Sequence, residues 1–183
     1  MKKIVVFVLG PDQPGIIAAV SKALFEQNCN LEDVSQTILQ SAFVAIIIAS
    51  MQDSQTEKEV LAALEQKTKP LGLFVHLRPM HAHIVHEQPA SESFVITTIG
   101  PDRAGLVAGI TEILAQYKVN ITNLKAVFRG DPDPLHNIMY YEVDIPSSQD
   151  HRILRDALFE RAHQLGLDIT IQHREIFEQI HRI

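Results

Sequence analysis

A single cysteine, Cys29, stands in the 183 residues, which rules out a disulfide framework within the chain and suits a reducing compartment. Cys29 itself reads as a small buried apolar group at a helix end. Basic residues are outnumbered, 16 Lys and Arg against 22 Asp and Glu for a net charge of −6, and they are scattered. Neutralising phosphates needs them clustered, so direct nucleic-acid binding is not expected. No segment reaches the ~20 apolar residues of a membrane span. The apolar run after Met1-Lys2-Lys3 stops at Gly10-Pro11, too short for a secretory signal with its cleavage site. These features lead to the expectation of a soluble cytoplasmic protein with no membrane partner. Catalytic signatures are also missing: there is no nucleophile elbow, P-loop, H-E-x-x-H or G-x-G-x-x-G, and nothing marks Cys29 as an activated nucleophile. An enzyme is not expected, and no cofactor is implied.

What the chain does have is one turn, twice. Gly10-Pro11-Asp12-Gln13-Pro14-Gly15-Ile16 returns ninety residues later as Gly100-Pro101-Asp102-Arg103-Ala104-Gly105-Leu106. Each copy follows an apolar β-type run (Ile4 to Leu9, Phe94 to Ile99) and precedes a stretch with helical periodicity, so both read as strand-to-helix turns. Proline ends the strand, aspartate accepts from free backbone N–H groups, and glycine removes Cβ where the helix begins. The first helical turn then holds bare donors and a partial positive charge, which is a seat for a small carboxylate. The same residues also describe a well-capped turn that binds nothing, and duplication alone does not choose between the two.

In chain order, Ile17, Val20 and Leu24 place a helix over Pro14–Gln27. Leu31–Leu39 reads as a strand of mixed polarity and Phe43–Ala49 as a strongly β-branched one. Ser54-Gln55-Thr56-Glu57 has capping-box spacing and opens a second helix that carries Val60, Leu61 and Leu64 inward. Pro70 and Gly72 end it, and Leu73–Leu77 closes the unit. The order β-α-β-β-α-β predicts a ferredoxin-like α+β sandwich, with the two most apolar strands, first and third, in the middle of an antiparallel sheet. The second unit repeats this order: helices over Ala104–Tyr117 and Ser147–Leu165, strands over Ile121–Phe128, Ile138–Ile145 and Leu167–His173. The expected division is residues 1–79, a linker over 80–92 with Ile84 and Val85 pinned to a domain surface, and 93–183 with a C-terminal tail.

Two differences separate the copies. Arg129 to His136 is a long turn-rich connection where the first copy has a short one, and the third strand of the second copy alternates while strands one and three of the first are apolar on both sides. The back of the first sheet is therefore expected to be covered. The cover is either the same face of a second chain, giving a homo-oligomer, or the linker or the tail Glu175–Ile183, whose apolar residues have helical spacing.

The turn, the amphipathic helix and the Asn-aliphatic pair that opens the second strand together resemble the ACT domain family. Two tandem copies without an attached enzyme are most similar to the glycine cleavage system transcriptional repressor group. The resemblance implies a regulator that senses a small amino acid, with glycine one candidate, and acts through a protein partner such as a transcription factor. It implies side-by-side pairing of units with ligand at the interface. Its ligand contacts map onto Asp12, Gln13, Pro14, Gly15 and Ile16 with Asn30, and onto Asp102, Arg103, Ala104, Gly105 and Leu106 with Asn120. Gln13 stands where arginine is usual and Ala104 where proline is usual, which puts the competence of either site in question. Two other classes remain open: a ligand-free ACT interaction module, and a metal site at His81, His83 and His86, which lacks a carboxylate or cysteine at firm spacing to complete it.

Overall fold

The two apolar runs of the first copy form the middle of one sheet. In the computed structural model, which describes residues 1–80, 90–127 and 137–180, the chain divides into two units, Met1–His86 and Glu87–Ile183. The first contains β1 (Lys2–Pro11), α1 (Ile16–Glu26), β2 (Asn30–Leu39), β3 (Ala42–Met51), α2 (Glu57–Thr68) and β4 (Phe74–Pro79). The second repeats it as β5 (Ser91–Gly100), α3 (Leu106–Gln116), β6 (Asn120–Val127), β7 (Asn137–Pro146), α4 (His151–Gln164) and β8 (Asp168–His173), followed by α5 (Arg174–Ile180). The sheets run β2-β3-β1-β4 and β6-β7-β5-β8, and every pairing is antiparallel. These are two tandem ferredoxin-like sandwiches, as the element order predicts.

Alternation fills the cores. Ile4, Val6 and Val8 of β1 and Ala45 and Ile47 of β3 point at the helices, where Ile16, Val20 and Leu24 of α1 and Val60 and Leu64 of α2 meet them, all at most 2% exposed. Burying a side chain of this size contributes about 1.5–3 kcal/mol, so this layer dominates the first unit's stability. The second core repeats the plan with Ile96, Ile110, Leu114, Val143, Leu154 and Leu158. Cys29 is buried just past the end of α1, and burial pushes its thiol pKa up, as suits an unreactive packing group.

Several boundaries differ from the sequence reading, each for a local reason. Helix α1 starts at Ile16 rather than Pro14 and α3 at Leu106 rather than Ala104, because Gly15 and Gly105 are left-handed (φ 96° and 91°), which a right-handed helix does not admit. The capping box of α2 is Thr56 with Glu59, not Ser54 with Glu57. Gln55 N–H closes a turn onto the Gln52 carbonyl (3.1 Å), so the chain becomes helical only after Thr56. Helix α4 opens at Asp150, whose Oδ1 accepts from the N–H groups of Arg152 (2.8 Å) and Ile153 (3.3 Å), rather than at Ser147. Strand β4 runs on to Pro79, and β5 begins within the expected linker because Ser91 and Glu92 pair with Pro146 and Ile145. Ile84, Val85 and the Arg129–His136 connection lie outside the described residues.

The sheet backs differ. On the first, Val5-Ile48, Phe7-Ile46 and Leu9-Val44 pair across β1 and β3, and Leu9, Val44, Ile46 and Phe74 are 36–65% exposed. On the second, α5 packs against β5 and β8, and Arg174 of α5 reaches Glu142 of β7 (3.6 Å). The start of the tail thus lies on its own unit, and Val95 on that back face is buried. One edge strand of each sheet carries a bulge at the same place, between Leu31 and Asp33 in β2 and between Ile121 and Asn123 in β6.

Candidate functional site

Both turns deliver a helix with no capping side chain. The expectation that Asp12 and Asp102 cap them fails: Asp12 instead donates its backbone N–H to the Ser41 carbonyl (2.9 Å), and the Asp102 Oδ1 accepts from Asn137 Nδ2 (3.4 Å). Gly15 and Gly105 occupy the cap positions, and glycine has no oxygen to offer. A Cβ built on either would meet nothing within 4 Å, so the space beside the leading N–H groups of residues 16–18 and 106–108 is open. Proximity explains the other shared glycine. A Cβ on Gly10 or Gly100 would stand 3.0 or 2.9 Å from the carbonyl oxygen of Gly72 or Gly166, which is how the loop before β4 or β8 closes against each turn.

The side chains around the two turns differ. Gln13 Nε2 donates to the Leu71 carbonyl (2.7 Å), which ties the first turn to its neighbouring loop. At the equivalent place Arg103 lies by Gly166, 3.9 Å from where a Cβ would sit, and makes no hydrogen bond or ion pair among the described residues. A cavity of about 290 Å³ opens at the second turn, lined by the backbone and side chains from Asp102 to Ala108 together with Asn137 and Met139. A slightly larger one, about 310 Å³, lies between α5 and the back of the second sheet. It is lined by Lys125 and by Arg174, the first residue of the short helix α5, and its carboxylate, Glu142, is held by Asn123 (2.9 Å) and Arg174. The turn cavity opens onto the uncapped start of α3, whose leading N–H groups suit a small carboxylate.

Asn30 and Asn120 are not brought to the turn of their own unit. Asn30 pairs with Ser50, which pairs with Lys3, whereas the turn follows Gly10 and Pro11, seven residues further along β1. At ~3.3 Å per residue the separation is ~23 Å. The same holds for Asn120, opposite Asp144 and Ser93. His81, His83 and His86 lie outside the described residues.

The sequence reading missed the residues beneath the second turn. In the first unit Gly10 pairs with Phe43, and Val8 and Ile47 lie on the same core face; their counterparts are Asn137, Thr98 and Tyr141. Three apolar positions thus become polar. Thr98 and Asn137 are 0% and 3% exposed, and Thr98 Oγ1 and Asn137 Oδ1 are the two buried side-chain oxygens without a hydrogen-bond partner among the described residues. Tyr141, fully buried, donates its hydroxyl to the Met139 sulfur (3.5 Å). Burial pushes its pKa up to about 12; the nearby Thr98 hydroxyl offsets part of that rise without meeting hydrogen-bond geometry. Comparing Val8 with Thr98 at the ninety-residue offset would have shown the first of these changes. The longer connection before β7 obscured the others.

The ACT domain family matches residues 2–78 and 92–172. The chain belongs to the ACT domain family. Among its relatives, a UPF0237 protein of Methanopyrus kandleri is 41% identical over 90 residues, 49% of this chain and 96% of that one. One of Methanococcus maripaludis is 36% identical over 92 residues, 50% of this chain and 99% of that one. The tandem ACT chain is thus about twice the length of these relatives. Among solved structures, an unknown protein from Galdieria sulphuraria superposes with a TM-score of 0.76 at 25% identity, covering 94% of this chain and 98% of that one. A putative glycine cleavage system transcriptional repressor superposes with a TM-score of 0.68 at 17% identity over 93% and 96% of the two chains, a likeness of fold.

Proposed function

We propose that this tandem ACT protein is a non-catalytic cytoplasmic regulator that binds a small amino acid at its strand-to-helix turns and reports the binding through protein contact. ACT domains are regulatory amino-acid-binding modules, and the observation that carries the proposal is the uncapped start of α3 opening into the 290 Å³ cavity. Leading helix N–H groups suit a carboxylate, and the volume suits a compact body. Glycine is the first candidate because a fold neighbour bears the name of a glycine cleavage repressor. The partner is a protein, such as a transcription factor. Its contact and the assembly of the regulator with a second copy are supported by the exposed apolar back of the first sheet, Leu9, Val44, Ile46 and Phe74. A ligand that favours one packing of paired units shifts its population and thereby the surface shown to the partner.

A thermal-shift screen of the amino acids tests the binding. A ligand at 100 times its Kd stabilises by ~2.7 kcal/mol, and a flat response to every amino acid at millimolar concentration defeats the proposal. Sedimentation as a monomer at micromolar concentration removes the assembly.

A further inference from the structure

The two turns share a backbone but not a floor. Beneath the second turn, Asn137 lines the cavity, is 3% exposed, and among the described residues leaves its Oδ1 without a partner and its Nδ2 with only a long 3.4 Å bond to Asp102. Folded proteins rarely leave a buried amide half-satisfied. At the matching place in the first unit stands Phe43, opposite Gly10 as Asn137 is opposite Gly100, and it offers nothing polar. The first turn is also tied by Gln13 to Leu71, whereas Arg103 at the second makes no such tie among the described residues.

We infer that the second turn alone is the amino-acid site and that Asn137 selects the ligand, its side-chain carbonyl accepting a hydrogen bond from the ligand's ammonium while the carboxylate rests on the N–H groups at the start of α3. This rests on the amino-acid-binding function proposed above and adds which unit binds and which end of the ligand each group reads. A carboxylate needs only the helix start, which both units have. An ammonium needs an acceptor beside it; both turns carry an aspartate, Asp12 or Asp102, but only the second unit adds a buried amide oxygen beneath it, at Asn137 where the first has Phe43. Asn137 lines the cavity next to Asp102, whose Oδ1 its Nδ2 contacts at 3.4 Å, which leaves Oδ1 as the uncommitted end of the amide. The ligand class is therefore a small α-amino acid, discriminated from the corresponding acid without the amino group.

The experiment is calorimetric titration of the full chain with individual amino acids and with their des-amino analogues, glycine against acetate and alanine against propionate. Variants are Ala18→Glu, Ala108→Glu and Asn137→Leu. Ala18 and Ala108 are exposed in the first turns of α1 and α3, where a glutamate suits the helix dipole yet occupies the carboxylate seat. Ala108→Glu is expected to weaken amino-acid binding at least 100-fold and Ala18→Glu less than 2-fold. Asn137→Leu is expected to weaken the amino acid at least 10-fold and leave the des-amino acid within 2-fold, a split that a merely structural asparagine would not produce. If Asn137→Leu does not fold, Asn137→Ser, too short to reach, is read in the same way. Loss of binding through Ala18→Glu instead overturns the choice of unit but leaves amino-acid sensing standing. Equal weakening of both ligands by the Asn137 variant, or weakening of neither, removes the ammonium contact. If the unaltered protein binds no amino acid, the proposed function and this inference fall together.

Discussion

Replacing Thr98 with valine should stabilise the second unit, and the chain carries its own control. Thr98 is 0% exposed and its Oγ1 has no hydrogen-bond partner among the described residues, while Val8 holds the same place in the first unit at 1% exposure. Valine has the shape of threonine with a methyl in place of the hydroxyl. A buried hydroxyl left unsatisfied costs about 1–3 kcal/mol of desolvation, and the methyl recovers that cost while adding apolar contact. The expected gain is about 1–2 kcal/mol, at the lower half of the range because the hydroxyl retains some interaction with Tyr141. For a unit of this size the urea slope is ~1 kcal/mol/M, so the midpoint of its transition should rise by about 1–2 M. Val8→Thr should lower the first unit's midpoint by a similar amount. Urea titrations followed by circular dichroism, with tyrosine fluorescence reporting on the second unit, measure both. Should Thr98→Val leave the midpoint unchanged or lower it, the hydroxyl has a partner and the polar floor is satisfied.

Three further outcomes are expected. Gly100→Ala should destabilise by about 1–3 kcal/mol, since its Cβ would press within 2.9 Å of the Gly166 carbonyl oxygen, and thermal unfolding reads it. Thr56→Ala should cost about 1 kcal/mol by removing the cap of α2, while Ser54→Ala should be silent in the same denaturation assay, separating the observed capping box from the one two residues earlier. Tyr141 stays neutral in the fold up to about pH 12 but ionises near 10 when unfolded. Its raised pKa thus contributes stability that is fully present below pH 10 and lost as pH rises toward 12. Alkaline unfolding of the second unit across that window should be relieved in Tyr141→Phe, with one of the three tyrosines ionising late in ultraviolet absorbance titration of the unaltered chain.

Periodicity and composition carried the architecture because they record burial directly. Val6, Ile47 and Leu24 are apolar at the spacing their elements demand, and each is buried as that spacing requires. Where boundaries slipped, one backbone angle or one turn bond decided them. Glycine at Gly15 was legible as special, but its left-handed φ, which moves the helix start and removes the aspartate cap, is a property of geometry. The candidate site was half legible. Both turns could be read from repeated letters, yet Asn30 and Asn120 follow them in sequence and sit at the far end of the sheet, because α1 and α3 return the chain across the whole length of the unit. Asn137 was hidden for the opposite reason. It lies in a segment with no repeat to mark it, and only the antiparallel pairing with Gly100 carries it beneath the turn.

The paired irregularities at Leu31–Asp33 and Ile121–Asn123 bear on what each sheet can recruit. An outermost strand offers its unmet amides to any extended peptide, and an uninterrupted one would template continuous growth. A break in the ladder near the start of the strand leaves only the stretch beyond it, residues 33–39 or 123–127, as a short landing strip with one frame of alignment. Whatever docks along β2 or β6, a sister sheet included, meets the kink before the first residues of the strand, so its paired length is capped at the few residues beyond.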